Sequence, residues 1–365
     1  MTSAVERFER APDERFAIVS STPYVLLHVA VIAGMWLWPP TWELFFVMVG
    51  AYYLRMFGIT AGYHRYFAHR GYKTSRVFQF ILALLGSTAS QKGVLWWAGH
   101  HRHHHKFSDM DEDIHSPKRG FWWSHHGWIL CPKYVEAPLH QIKDFAKYPE
   151  LMFLQRTWAV WPFVFGGALY LMGGMAWAFW GAMVSTVVLY HGTFTINSLA
   201  HVWGSRRYDT TDTSRNNFWL SLLTMGEGWH NNHHFYQSTA RNGFFWWEVD
   251  ASYYILKVLS WFGVVWDLRQ PPTWVLEGRN RKFDELPAVA PAAPFAFPGS
   301  LLDAMQRLQT LREQPREDAH EDLKTRLLHA AAEAAEKASE VAERAAEAAQ
   351  EARLSAADIK ARLAV

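Results

Sequence analysis

Residues 157–196, TWAVWPFVFGGALYLMGGMAWAFWGAMVSTVVLYHGTFTI, carry no charged side chain. A helix needs about 20 apolar residues to cross a bilayer, so this run is roughly twice that length. A soluble domain has no place for such a stretch. Met172, Gly173 and Gly174 supply a turn near its middle, which predicts two helices joined by a tight connection. Two further apolar stretches lie upstream, YVLLHVAVIAGMWLW and ELFFVMVGAYYL, the second running on through RMFGITAG. The Pro39–Pro40 pair separates them. Trp and Tyr crowd the ends of all these segments, as at membrane interfaces. The expectation is an all-α integral membrane protein with four transmembrane helices in two hairpins.

The connecting loops orient those hairpins. PPTWE and MGGMAW contain no Lys or Arg, whereas the N-terminal segment, residues 63–156 and everything after 200 are rich in both. The positive-inside rule then puts both termini and the middle segment in the cytoplasm, here of the inner (cytoplasmic) membrane of a cell. A fifth apolar stretch, VFQFILALLGSTASQKGVLWW, holds Ser, Thr, Gln and Lys and reads as a buried or interfacial helix. The start of the chain is charged, with no apolar core close behind it, so a cleaved secretory signal is not expected.

The rest of the chain divides by composition. Residues 1–20 form a cytoplasmic N-terminal segment and 21–270 a membrane domain. Residues 271–300 are a linker, Pro- and Ala-rich over 286–299, and 301–365 an Ala/Glu-rich helical tail. Within the membrane domain, FFWWEVDASYYILKVLSWFGVVWDL reads as an amphipathic aromatic helix docked on the membrane or the core. The net charge of +2 implies no steering of nucleic acid, and a single cysteine, Cys131, excludes a disulfide framework, cysteine zinc sites and iron–sulfur clusters.

Histidine is the unusual component. WWAGHHRHHHKFSD holds His101, His104 and His105 at i, i+3 and i+4, one face of a helix. WHNNHH repeats that spacing with His230, His233 and His234. His64 and His69 lie just past the second apolar stretch, on a helix end or turn, and His201 just past the fourth. Four spans bring all nine to one cytoplasmic surface. Imidazole suits Fe, Zn, Cu and Ni, and one ion cannot take nine ligands, so two ions are the economical count. His100 and His103 point off the shared face. His115, His125 and His126 are candidates for contacts behind the ligands, while His28, His140, His191, His320 and His329 read as ordinary core or surface residues.

Taken in order, GITAGYHRYFAHR, HRHHHKFSD, NSLAH and GEGWHNNHH resemble the membrane fatty-acyl desaturase family, especially its stearoyl-CoA desaturase branch, over about residues 20–270. The resemblance implies four spans beneath a cytoplasmic helical cap holding a di-iron centre. Its catalytic ligands would be His64, His69, His101, His104, His105, His201, His230, His233 and His234, with Asn197 holding a metal-bound water. It implies O₂-dependent formation of a cis double bond, at delta-9, in a saturated acyl chain carried by CoA. Gln91, Trp97 and Thr193 match family residues that kink the acyl chain, and Lys133 matches a carrier contact. The pattern breaks at the carrier end. Gly99-His100 stand where animal acyl-CoA enzymes have Arg-Asp, and Pro132 stands where they have Arg, so an acyl-lipid carrier stays open. Lys92, Lys118 and Arg119 are further candidates for phosphate. Electrons would come from a separate ferredoxin-type protein with its NAD(P)H reductase.

Chemistry supports a metal oxidant. General acid–base catalysis supplies about 10²–10⁴-fold, roughly 3–6 kcal/mol, and an unactivated C–H bond has no acidic proton to remove. Two other readings remain. One is a di-iron hydroxylase of alkanes or acyl chains, and the other a non-catalytic membrane metal-binding protein. The second predicts ligands along the bilayer interior. Arg55, inside the second apolar stretch, is expected to snorkel or to make a packed polar contact.

Overall fold

A computed structural model describes residues 11–278; the tail, most of the linker, His320 and His329 lie outside the described residues. Helix α1 (Ile18–Leu37) ends before Pro39–Pro40, and α2 (Trp42–Phe57) begins at Thr41, whose hydroxyl accepts from the Leu44 amide at 3.2 Å. α2 does not stop where its apolar stretch does. It runs on as a π-helix, Gly58–Ala68. Next come strand β1 (Lys73–Thr74), α3 (Arg76–Ser87, capped by Ser75), α4 (Val94–Phe107), α5 (Phe121–His125) and α6 (Pro149–Arg156). The fifth apolar stretch is thus two helices, divided by a loop in which Ser90 and Lys92 take positive φ.

The long uncharged run folds as expected at its centre. Helix α7 (Trp161–Ala178) is broken at Gly173 (φ −149°, ψ 18°) and Gly174 (φ 71°, ψ −164°), the latter a conformation that favours glycine. The chain then reverses. Residues 169 and 181 would be about 18 Å apart on one straight helix, yet a Cβ on Gly181 would sit 2.8 Å from Leu169 Cδ1. A π-helical stretch, Phe179–Val184, leads into α8 (Ser185–Asn197), with a last turn at Leu199–Val202. Short helices α9 (Phe218–Leu223) and α10 (His230–Phe235) follow, then α11 (Ala251–Trp261) and strand β2 (Val265–Trp266), which pairs antiparallel with β1.

Two helical runs, Trp42–Ala68 and Trp161–Val202, are long and apolar enough to cross a membrane. Trp36, Trp42, Phe46, Phe163 and Leu171, on α1, α2 and α7, are exposed. Among the best-buried residues are Met56, Ala61, Tyr63, Phe67, Leu82, Ala83, Leu95, Leu151 and Leu154, which pack the π-helix against α3, α4 and α6. Gly58 permits this approach, because a Cβ there would lie 2.7 Å from the Gly86 amide nitrogen.

One expectation changes and one is narrowed. The aromatic segment after residue 243 becomes helical only from Ala251, because the Asp250 carboxylate accepts from the Tyr253 amide at 3.0 Å and also binds Arg65. Of its two expected placements, Arg55 takes the packed polar contact and does not snorkel: it is fully buried. It donates to the carbonyls of Ala51 and Thr88 and to the hydroxyls of Thr186 (2.6 Å) and Ser185.

Candidate metal centre

The π-helix explains the spacing of His64 and His69. On an α-helix, residues five apart point about 140° away from each other. Here the His69 amide bonds to the His64 carbonyl at 3.1 Å, the i to i+5 closure of a π turn. The two rings come to 4.8 Å, centroid to centroid. His64 therefore lies within the helical run, not at its end, and His69 caps it.

The nine histidines form two groups. His64, His69, His101, His105 and His233 converge in one, and His104, His201, His230 and His234 in the other, each with ligand atoms within 4.8 Å of one another. Both H-x-x-H-H motifs are helical, as expected, but neither serves a single group. On α4 the i, i+4 pair His101/His105 faces the first group while His104 faces the second. On α10 the pair His230/His234 faces the second group while His233 reaches the first.

The nitrogen geometry tests whether metal fits. In the first group Nε2 atoms follow one another from His69 to His101 (2.9 Å), His105 (3.0 Å), His233 (2.9 Å) and His64 (3.0 Å). In the second, His201 and His230 Nε2 are 3.1 Å apart, and the buried Nε2 of His234 has no hydrogen-bond partner. An imidazole nitrogen either donates or accepts, never both. A run of five such atoms therefore cannot be satisfied by hydrogen bonds alone. Two ligands at right angles on one ion, each about 2.1 Å from it, stand about 3.0 Å apart. The donor set fits lone pairs converging on cations. Burial first, and neighbouring imidazoles second, hold His69, His101, His105, His230 and His233 well below the usual histidine range, keeping those lone pairs free.

Carboxylates that sequence reasoning gave no role stand behind the rings. His64 Nδ1 is 2.6 Å from Glu227, which also binds Arg65 at 3.0 Å. His104 Nδ1 is 3.0 Å from Asp113, His234 Nδ1 2.6 Å from Asp212, and His201 Nδ1 3.5 Å from Asp109. Burial raises Asp109, Asp113 and Asp212, but the adjacent histidines outweigh it and hold all three well below the carboxylate range. Such partners fix the orientation and basicity of a ligating imidazole. Their one sequence signal was position: each lies within a few residues of a histidine box or, for Asp212, between two of them.

Other expected residues fall as follows. Asn197, half-buried, ends α8 four positions before His201. Trp97 donates to Gln91 Oε1 (3.2 Å), and Gln91 donates to Thr193 Oγ1 (2.7 Å). The Trp97 ring stacks on His101 at 4.9 Å, which ties this trio to the first group. Lys133 is paired with Asp13 at 2.9 Å and Arg119 with Glu14. Lys92 lies over the Trp96 ring at 4.6 Å, and burial pushes it down to about 8. His100 and His103 bond to the carbonyls of Glu136 and Glu112, away from both groups. The His115 ring lies against that of His104, tilted by 32°, with centroids 4.2 Å apart. His28 and His191, which the sequence left as ordinary residues, are joined ring to ring with His125.

A family model described as fatty acid desaturase matches residues 36–257. Delta-9 acyl-lipid desaturase 1 of Arabidopsis thaliana is 40% identical over 234 residues, covering 63% of this chain and 77% of that protein. Acyl-CoA C20 Delta5-desaturase of Anemone leveillei is 36% identical over 256 residues, 67% of this chain and 82% of the relative. The sn-1 stearoyl-lipid 9-desaturase of Synechocystis sp. is 41% identical over 217 residues, 59% and 68% respectively. With its histidine boxes gathered into two metal-competent groups, the chain belongs to the fatty acid desaturase family.

Proposed function

We propose that this desaturase inserts a cis double bond at delta-9 of a saturated acyl-CoA, using two irons, O₂ and electrons from a separate ferredoxin-type protein. The observation that carries the reading is the run of Nε2 atoms 2.9–3.0 Å apart in the first histidine group. Iron bound there would supply the oxidising power that side chains lack. Imidazoles from His64, His69, His101, His105 and His233 would hold one ion, and His104, His201, His230 and His234, with a water on Asn197, the other.

The protein's own part is placement. Gln91, Thr193 and Trp97 are linked in a line that ends on His101. That supports a role in presenting one C–C bond to the metals. In a bilayer with a core of about 30 Å, Trp42–Ala68 would reach about 40 Å. The excess carries His64 beyond the apolar layer, and the long limb after Gly174 does the same for His201. This favours four spans with a cap on one face of the inner membrane, the cytoplasmic one by the loop charges.

A second carrier is favoured by one observation. Lys133 and Arg119 already have carboxylate partners in Asp13 and Glu14, and Gly99, His100 and Pro132 add no cation, so a lipid-bound acyl chain is the alternative. Purified protein loaded with Fe(II), given ferredoxin, its reductase and NADPH, decides both points. Stearoyl-CoA and stearoyl phospholipid vesicles are supplied separately, and mass spectrometry locates the double bond. Alkene from stearoyl-CoA alone supports the acyl-CoA reading; hydroxy-acyl product would sink desaturation.

A further inference from the structure

Residues 88–93, between α3 and α4, carry Gln91 and belong to no helix or strand. Ser90 (φ 59°) and Lys92 (φ 62°) flank Gln91 in the left-handed region, where a residue with a side chain stays only if its surroundings hold it. Three side chains from other elements supply that hold, on every second carbonyl of the loop. Arg55 Nη1, on α2, donates to the Thr88 carbonyl at 3.2 Å. The Tyr190 hydroxyl, on α8, donates to the Ser90 carbonyl at 2.9 Å. The Tyr63 hydroxyl, on the π-helix, donates to the Lys92 carbonyl at 3.3 Å and also meets Ser87 Oγ at 3.0 Å. Gly86 leaves room for this, because a Cβ there would collide with the Tyr63 ring.

Arg55 is an unusual member of the set. All five of its N–H groups have acceptors: the carbonyls of Ala51, Thr88 and Gly181 and the hydroxyls of Thr186 and Ser185. None is a carboxylate, and the Phe165 ring lies 4.9 Å from the guanidinium. A charge among apolar helices points to a function. Here neutral dipoles solvate it, and Thr88 ends α3, where helix carbonyls favour a cation. From the clamped loop a line of contacts leads to the metal centre. Gln91 donates to Thr193 Oγ1 and accepts from Trp97, whose ring stacks on His101. Thr193 and Tyr190 are three residues apart on α8 and share one face. One helix face therefore holds both the backbone of the loop and the side chain of Gln91.

We propose that Arg55, Tyr63 and Tyr190 are positioning residues that set which C–C bond of the acyl chain is oxidised. This rests on the desaturation reading, with Gln91, Trp97 and Thr193 presenting the chain. The three act through the loop and not on the reacting atoms. A carbon–carbon bond is about 1.5 Å long, so a loop displaced by that much brings a neighbouring bond to the metals. Each hydrogen bond to the loop favours the correct placement by its own net strength, a preference of about twofold to tenfold.

The test compares wild type with Tyr190→Phe, Tyr63→Phe and Arg55→Lys, each as full chain, iron-loaded and supplied with ferredoxin, reductase and acyl substrate. Tyr66→Phe is the control: its hydroxyl donates to Gln79 at 3.0 Å, a buried phenol bond from the same π-helix to α3 and not to the loop. Mass spectrometry of derivatised product gives the share of alkene at neighbouring carbons. That share should rise about twofold to tenfold in each clamp variant, and further in the Tyr63→Phe/Tyr190→Phe double variant. Iron content should equal wild type throughout, and Tyr66→Phe should show no rise. The phenylalanine variants keep their rings, so they decide the matter even if Arg55→Lys does not assemble. A wild-type isomer distribution in both, whatever their melting temperatures, would overturn the clamp and return the three residues to packing. An equal rise in Tyr66→Phe, or a rise accompanied by lost iron, would overturn it in favour of general loosening. Scatter in Thr193→Val without scatter in the tyrosine variants would sink the clamp alone. No alkene from wild type itself would take down the desaturation reading, and the clamp with it.

Discussion

The Nε2 atoms of His105 and His233 stand 2.9 Å apart, although 128 residues separate them in the chain. Each belongs to an H-x-x-H-H motif that also supplies the second group, through His104 on α4 and His230 and His234 on α10. The two groups are therefore mechanically one unit, each built by both helices. Replacement of His233 by Ala should lower iron from two ions per chain toward one and abolish alkene formation. Elemental analysis of the purified variant beside its fatty-acid product profile checks this; an iron content still at two would contradict the ligand assignment.

Glu227 joins His64 to the buried Arg65. Glu227→Gln keeps the shape but removes the charge that orients the imidazole. The expected cost is about 10–100-fold in metal affinity or activity, the usual range for a residue behind a ligand. Competition with a chelator of known affinity measures it, and an unchanged retention constant would refute the role.

Metal should also hold the fold together, because its ligands come from the π-helix, α4, α10 and the turn after α8. A ligand that binds only the folded state stabilises in proportion to the logarithm of its excess over Kd. Chelation is expected to lower the melting temperature, and either Fe(II) or Zn(II) to restore it. Alkene formation should return with iron alone. Equal activity with zinc would dispose of the redox reading.

Gly50 on α2 and Gly58 at the start of its π-helical continuation offer a paired test of packing. A Cβ at Gly58 would meet the α3 backbone, whereas one at Gly50 would meet nothing within 4 Å. Gly58→Val should cost about 1–3 kcal/mol through overpacking. Gly50→Ala should be neutral or stabilising by up to about 1 kcal/mol. Thermal unfolding in detergent compares them, and equal shifts would mean that the π-helix and α3 do not approach at this glycine.

Thr193→Val removes the hydroxyl that accepts from Gln91 without touching any histidine. Iron content should stay at the wild-type value while the double bond spreads over neighbouring positions or forms more slowly. A single unchanged isomer at wild-type rate would return Gln91, Trp97 and Thr193 to ordinary packing.

Read alone, the chain determined the apolar helices, the break at Gly173–Gly174 and the identity of the clustered imidazoles. These depend on local chemistry: hydropathy, the backbone freedom of glycine and the ligand character of histidine. Its i, i+3, i+4 spacing was legible as helical, but not which ring of each triplet turns to which group. That choice depends on the relative rotation of α4 and α10, a property of packing between elements distant in sequence. The same holds for Glu227, Asp109, Asp113 and Asp212, whose partners are set by folding, and for Asp250, which stops the aromatic segment from becoming helical earlier by capping α11 while pairing with Arg65. His28 and His191 looked ordinary, and His125 a candidate for a contact behind the ligands, because no spacing links the three. Only the crossing of α1, α5 and α8 brings their rings within hydrogen-bond reach, since contact between distant residues is a consequence of tertiary packing and leaves no periodic trace in the chain.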